Sequence, residues 1–155
     1  MSFDDLMQRF AAAAVAGDGG TLAALFAEDG QYHDVFYGTF TGRSEIVDLL
    51  ENHFHRDGTN FRWDMHDPVC QGDIGYVRYL FSYDSKLKGA EGRRGIFEGV
   101  AIVALRDGLI GSYREVANVG PCLSRLGFAP ERLAKLMARE AEQLAARPEA
   151  SGHTD

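Results

Sequence analysis

The sequence is short of cationic side chains. Sixteen Lys and Arg residues stand against 23 Asp and Glu residues among 155 positions, which gives a net charge of −7 at neutral pH. Nucleic acids and anionic membranes are bound by clustered Lys and Arg side chains, so we expect neither as a partner.

Cysteines are also scarce, and long apolar runs are missing. Cys70 and Cys122 fit no metal or redox spacing, so we expect both to be reduced and buried. The longest apolar run, Val100 to Leu105, is far too short to cross a bilayer. Residues 1–5 are acidic where a secretory signal is basic. We therefore expect a cytoplasmic protein without a membrane partner.

Aromatic side chains and glycine are abundant. Ten phenylalanines, six tyrosines and one tryptophan make 17 aromatic residues, and glycine occurs 18 times. Hydrophobic residues at 45% and charged residues at 25% are ordinary for one folded domain, and a chain of this length can bury a core. This combination favours a single domain built on a bent sheet.

The hydrophobic spacing changes once along the chain. Apolar residues at helical spacing predict helices over residues 3–16, 21–27 and 44–54, and again over 130–146. Alternation with a period of two predicts strands, listed in chain order as 31–37, a strand from Asn60, 76–84, 96–106 and 109–119. Helices followed by long antiparallel strands are typical of an α+β domain. We expect this domain over residues 1–125, a C-terminal helix over 126–146 and a flexible tail over 147–155.

Several short motifs, in this order, resemble the nuclear transport factor 2-like superfamily and in particular its SnoaL-like polyketide cyclase branch. They are Ala16-Gly17-Asp18, Leu25-Phe26-Ala27-Glu28-Asp29, Tyr32-His33-Asp34, Gly42-Arg43-Ser44-Glu45-Ile46, and Gly108-Leu109-Ile110 through Tyr113-Arg114-Glu115. The resemblance implies a cone-shaped α+β barrel, with three N-terminal helices packed on a curved antiparallel sheet around a deep pocket. It also implies a homodimer packed through the sheets.

Asp34 is the first candidate for catalysis. In an extended strand, Tyr32, Asp34 and Phe36 share one face, and the resemblance places that face in the pocket. Asp34 then occupies the position of the general base in steroid isomerase-like members, with Tyr32 binding the substrate oxygen or orienting Asp34. Burial among aromatic rings raises the pKa of a carboxyl group, which suits proton abstraction beside a carbonyl. The alternative is a surface Asp, or one that forms a turn at the end of the strand.

Glu115 and His55 are the other candidates for handling a proton. Glu115 matches an acidic position of epoxide hydrolase-like members; alternatively it forms an ion pair with Arg114, Arg78 or Arg94. His55 lies where scytalone dehydratase-like members carry a catalytic His. Alternatively, it is a solvated His at a helix C-terminus.

Aromatic residues on the predicted helices and strands are candidates to line an apolar pocket. For any one of them the alternative is an ordinary place in the core. The candidate substrate-binding residues are Phe10, Phe36, Phe54, Trp63, Tyr79, Phe81 and Phe97. No third ligand accompanies His53 and His55 at a suitable spacing, so we expect no metal and no cofactor.

The chain departs from the known mechanisms at particular positions. Steroid isomerase-like members use a Tyr in the first helix and a protonated Asp on the long strand as hydrogen-bond donors. The matching positions here are Phe10 and the apolar Ala101 or Ile102. The Arg and Asp of epoxide hydrolase-like members are replaced by Tyr79 and Phe81.

These features together predict a small-molecule pocket protein. The hypothesis is a cofactor-free isomerase, cyclase or dehydratase that moves a proton on a hydrophobic carbonyl compound. The alternative is a non-catalytic module for ligand binding or dimerisation, since each known mechanism lacks a partner residue.

Overall fold

A computed structural model describes residues 1–154. The helices are α1 (Phe3–Ala16), α2 (Gly19–Ala24), α3 (Arg43–Asp48), α4 (His55–Asp57), α5 (Gly120–Arg125) and α6 (Pro130–Ala145). A π-helical segment, Leu49–Phe54, joins α3 to α4, and a 3₁₀ turn covers Pro148–Ala150. The strands are β1 (Phe26–Asp34), β2 (Gly38–Thr41), β3 (Gly58–Gln71), β4 (Ile74–Ser85), β5 (Arg94–Arg106) and β6 (Leu109–Asn118). The α+β class predicted from the sequence is confirmed.

Helix α1 begins and ends where the sequence predicts, because both of its ends are capped. The Asp5 N–H donates to Ser2 Oγ at 3.1 Å, and the Ser2 N–H donates to the Asp5 carboxylate at 3.2 Å. Gly17 takes the left-handed conformation that ends the helix. The buried side chains of Leu6, Met7 and Phe10 face the hydrophobic core. The helix therefore closes one side of the sheet.

The six strands form one sheet in the order β2-β1-β6-β5-β4-β3, which is curved and does not close. The expected curved antiparallel sheet is present, with one parallel pair, β1 beside β6. A hairpin leads from β1 to β2, and the helices α3 and α4 then carry the chain to β3, so β1 meets the last strand of the chain instead of the next one. This parallel pairing places Tyr32 beside Tyr113 and His33 beside Arg114.

The C-terminal segment contains one helix that the sequence pattern did not indicate. Helix α5 starts at Gly120, and Pro121 occupies its first turn, where a missing N–H costs nothing. Leu123 and Leu126 are buried, while α6 has no fully buried residue and packs on the core through the partly buried Leu133 and Leu136. Helix α6 is thus held loosely compared with α1.

The two cysteines differ in environment. Cys122 is buried as expected, but Cys70 is exposed because the end of β3 extends beyond the covering helices. Both thiols are free.

Among the described residues, 1–154, we find no helix with the length and apolar character that a membrane span requires.

Candidate functional site

A cavity of about 270 Å³ lies between the sheet and helices α5 and α6. Nine aromatic residues line it: Phe36, Tyr37, Phe54, Phe61, Trp63, Phe81, Tyr83, Phe97 and Phe128. Aliphatic side chains of α5 and α6, including Leu123, Leu126 and Leu136, cover one side. Pockets of this kind, with an apolar wall and a few polar groups, are typical of small-molecule sites.

Asp34 combines two roles that the sequence posed as alternatives. Its Oδ1 accepts the backbone N–H groups of Phe36 at 2.8 Å and Tyr37 at 2.9 Å, which forms the turn between β1 and β2. The side chain is 8% exposed and also borders the cavity. Its Oδ2 makes no hydrogen bond within residues 1–154, so it remains available to a ligand. The extended segment predicted over 31–37 accordingly ends at Asp34.

Glu115 lies on the neighbouring strand. The Tyr113 hydroxyl donates to Glu115 Oε1 at 2.8 Å and orients the side chain. Within residues 1–154, Glu115 forms no ion pair with Arg114, Arg78 or Arg94; Arg78 contacts Asp67 and Glu98, and Arg94 contacts Asp84. Glu115 therefore lies in the cavity wall without a cationic partner.

The register between β1 and β6 brings the two carboxyl groups together. His33 lies opposite Arg114, and continuing the parallel register by one residue sets Asp34 beside Glu115. Burial raises the pKa of Asp34, against the two N–H groups that stabilise its ionised form. Burial, followed by the negative charge of Asp34, raises the pKa of Glu115, against the Tyr113 hydrogen bond. The pair thus favours one ionised and one protonated carboxyl group at neutral pH.

Tyr37 and Asp57 form a second polar group in the cavity wall. The Tyr37 hydroxyl donates to Asp57 Oδ2 at 2.7 Å, and Arg56 binds both oxygens of the same carboxylate at 2.7 Å. The Arg56 hydrogen bonds lower the pKa of Asp57, whereas burial and the Asp57 charge raise the pKa of Tyr37. Asp57 therefore stays ionised and fully engaged, unlike Asp34.

Three buried donors lack hydrogen-bond partners within residues 1–154: Tyr32 Oη, Tyr79 Oη and Trp63 Nε1. Trp63 borders the cavity, but its Nε1 atom is buried, as are the two hydroxyl oxygens. Tyr79 lies over Gly99, where an added Cβ would come within 2.5 Å of the Tyr79 hydroxyl oxygen. A buried donor without a partner is costly, which is typical of sites that bind a ligand acceptor.

The aromatic residues predicted to bind substrate fall into two groups. Those that border the cavity are Phe36, Phe54, Trp63, Phe81 and Phe97. Phe10 and Tyr79, like Tyr32, lie in the core outside this lining, and each is at most 1% exposed. Phe10 stacks on Tyr113 with a centroid distance of 4.6 Å, so it supports the strand that carries Glu115.

His55 lies outside the cavity lining. Its Nε2 donates at 2.9 Å to the Ala14 carbonyl in the last turn of α1, an oxygen that also accepts the Gly17 N–H at 3.2 Å. Its ring lies against Gly17 and, at a centroid distance of 4.7 Å, the ring of Phe61. These contacts explain the residue as a link between two helices, and we leave it out of the catalytic set proposed below.

Helix α6 contributes polar groups that the sequence did not identify. Arg132, Arg139 and Glu140 border the aromatic cavity. Glu140 also borders a neighbouring hollow of about 460 Å³, as do Asp34 and Glu115. The amphipathic pattern predicts the helix but not the surface it covers, so no local signal places these residues in the site.

No cluster of three or more His, Cys, Asp or Glu side chains within residues 1–154 has the geometry of a metal site.

Comparisons with known proteins identify the fold. The sequence profile of the SnoaL-like domain matches residues 7–113. A hypothetical protein with a ketosteroid isomerase-like fold from Catenulispora acidiphila, in complex with trimethylamine, is similar with a TM-score of 0.73 and 21% identity, over 84% of this chain and 98% of that chain. A putative polyketide cyclase from Pseudomonas putida has a TM-score of 0.65 and 19% identity, over 81% and 98%.

A third similar structure is that of an enzyme of another class. The LEH-like epoxide hydrolase from M. tuberculosis is similar with a TM-score of 0.65 and 18% identity, over 87% of this chain and 94% of that chain. No curated protein sequence matches this chain significantly. At such identities the structural matches show a shared fold only, and function has to be argued from the cavity.

Proposed function

The chain belongs to the SnoaL-like domain family, and from this we propose that it is an enzyme for cofactor-free proton transfer on a hydrophobic carbonyl compound. The reaction would be an isomerisation, cyclisation or dehydration. The observation that carries the proposal is the Asp34–Glu115 pair, two carboxyl groups with raised pKa values in the wall of an aromatic cavity. The polyketide cyclase and ketosteroid isomerase-like neighbours are compatible with this chemistry.

Asp34 acts as the general base in this proposal. Its free Oδ2 takes a proton from the carbon next to the substrate carbonyl, while the two N–H groups on Oδ1 hold the carboxylate in place. A base with a raised pKa transfers protons efficiently near neutral pH. Tyr32, two residues before Asp34 on β1, is buried outside the cavity lining, so in this proposal it supports the strand that carries Asp34 and does not touch the substrate.

Glu115 acts as the general acid. In its protonated form it donates a hydrogen bond to the carbonyl oxygen, where negative charge develops, and it then transfers that proton to the carbon atom that is protonated in the product. Glu115 thus supplies a donor in place of those missing at Phe10 and Ala101. Such donors stabilise an enolate by several kcal/mol. The proton left on Asp34 then returns to Glu115 on the neighbouring strand.

The proposal predicts catalysed hydrogen exchange with a particular pH dependence. Incubation with a panel of apolar ketones and lactones in D₂O should show deuterium incorporation beside the carbonyl, followed by NMR. The rate should rise as Asp34 ionises and fall as Glu115 loses its proton. Ordinary carboxyl groups titrate near pH 4. Because the pKa values of Asp34 and Glu115 are both raised, the rise and the fall of the rate should both occur above that pH. An exchange rate that does not fall as the pH is raised from neutral to alkaline would contradict the role of Glu115 as the acid.

The alternative of a non-catalytic binding module makes the opposite prediction. Ligands from the same panel would raise the melting temperature without any deuterium incorporation, because binding to the folded state alone stabilises it. The missing counterparts of known mechanisms at Tyr79 and Phe81 favour this alternative. The open cavity is compatible with both functions.

We also propose that the outer face of the sheet forms a homodimer. Exposed apolar side chains on β4, β5 and β6 cluster there, namely Tyr76, Ile96, Val100 and Val116, beside the Arg78–Glu98 ion pair. The exposed free thiol of Cys70 suits a reducing, cytoplasmic location.

The dimer is tested by a charge at the centre of this face. Val100→Asp should convert a dimer into a folded monomer in sedimentation equilibrium, because an unpaired charge cannot be buried. Val15→Asp, on the exposed side of α1, is the matched control and should leave the mass unchanged. A wild-type monomer, or a dimer that survives Val100→Asp, would contradict the proposed interface.

A further inference from the structure

Helix α6 presents two arginines to the aromatic cavity. Arg132, Leu136 and Arg139 border it from the same side, and we call these three residues the α6 strip. The guanidinium of Arg132 lies 4.2 Å from the centre of the Phe128 ring, which holds it at the cavity wall. Neither arginine has a carboxylate within 4 Å among residues 1–154.

Missing ion pairs are informative in a chain with 23 acidic and 16 basic residues. The other charged groups that face the cavity are Asp34, Glu115, Asp57 and Glu140. Asp57 is neutralised by Arg56, and the Asp34–Glu115 pair shares a proton. Glu140 and the one ionised carboxyl group of the pair balance the two arginines over the whole wall, so the positive charge is confined to the α6 strip.

We propose that the ligand of this cavity carries an organic anionic group, such as a carboxylate, that binds to the α6 strip. The inference deepens the proposed function, on which it rests, by naming the substrate class: an apolar, largely aromatic carbonyl compound with an acidic substituent. Arginine binds such groups with paired N–H donors, which favours them over neutral polar groups.

The geometry also sets the direction in which this ligand binds. Asp34 and Glu115 lie on the sheet, and the α6 strip lies on the helix that covers it. The acidic substituent therefore points away from the carboxyl pair, which would repel it. Arg132 and Arg139 are seven residues apart, about 10 Å along the helix axis. The α6 strip can therefore contact an anionic group at positions up to two helical turns apart.

Two fluorescent probes that differ by one acidic group test this inference on the intact protein. 8-Anilinonaphthalene-1-sulfonate and N-phenyl-1-naphthylamine share an aromatic body, and only the first is an anion. We expect the anion to bind more tightly than the neutral probe. Arg139→Gln and Arg132→Gln should each weaken the anion about three- to tenfold, a range reduced for solvent screening, and leave the neutral probe unchanged.

Lys135→Gln is the matched control, since Lys135 is exposed on α6 and does not border the cavity. This variant should change neither affinity. Equal affinities for the two probes, tighter binding of the neutral probe, no binding, or an equal effect of all three substitutions would overturn the inference. Because binding is measured without turnover, anion selectivity without deuterium exchange would refute the proposed enzyme and retain the ligand class.

Discussion

Replacing Asp34 with asparagine should lower the rate of deuterium exchange by about 10²- to 10⁴-fold, the range that a positioned general base supplies. The asparagine Oδ1 can still accept the N–H groups of Phe36 and Tyr37, so the turn between β1 and β2 should persist. An amide cannot take the proton, however. The measurement is exchange by NMR with circular dichroism as the check on the fold, and exchange at the wild-type rate would refute the role of Asp34.

The stability of this variant gives an independent readout. Because burial raises the pKa of Asp34 in the folded state, folding stability falls as pH rises from the ordinary carboxyl pKa through the raised value. Asparagine carries no such charge, so the variant should be at least as stable as wild type at neutral pH. Asp34→Ala is the contrast, since it leaves two N–H groups unpaired and should cost about 1–3 kcal/mol.

Periodicity predicted the elements that have a clear amphipathic face. Helix α1 matches its predicted limits, and α6 ends one residue earlier than predicted. The start of β1 was missed because Phe26 and Ala27 continue the apolar run of the preceding helix. Strand β2 was missed because glycines at positions 38 and 42 indicate turns. Both glycines do have positive φ angles, but the residues between them pair with β1.

The carboxyl pair shows where local reasoning ends. Alternation places Tyr32 and Asp34 on one face of β1, and it separately places Tyr113 and Glu115 on one face of β6. Their meeting depends on parallel pairing between strands some 80 residues apart, which no local pattern contains. The same applies to Arg139, whose place in the cavity wall is set by how α6 packs. The sequence resemblance identified the candidate residues, whereas the three-dimensional fold determines which of them lie next to each other.

Replacing Phe10 with alanine should have the largest effect on stability of any change to the aromatic residues discussed above. Phe10 is fully buried and packs on Tyr113, Tyr32, Trp63 and Phe26, with ring centroids 4.6–6.2 Å apart. Removing a buried phenylalanine costs about 3–5 kcal/mol, a large share of the 5–15 kcal/mol that stabilises a typical domain. Urea unfolding measures the loss of stability. If the alanine variant fails to fold, Phe10→Leu can be measured in its place, and we expect it to retain most of the stability.

Phe36→Ala is the matched control and should show the reverse pattern. Phe36 is 37% exposed and borders the cavity, where its ring meets Phe97 edge-to-face at a centroid distance of 5.7 Å. Its loss should cost about 1 kcal/mol of stability at most, because water already reaches one side of the ring. It should, however, weaken the binding of N-phenyl-1-naphthylamine. Comparable losses of stability for the two variants would contradict the assignment of Phe10 to the core and of Phe36 to the cavity wall.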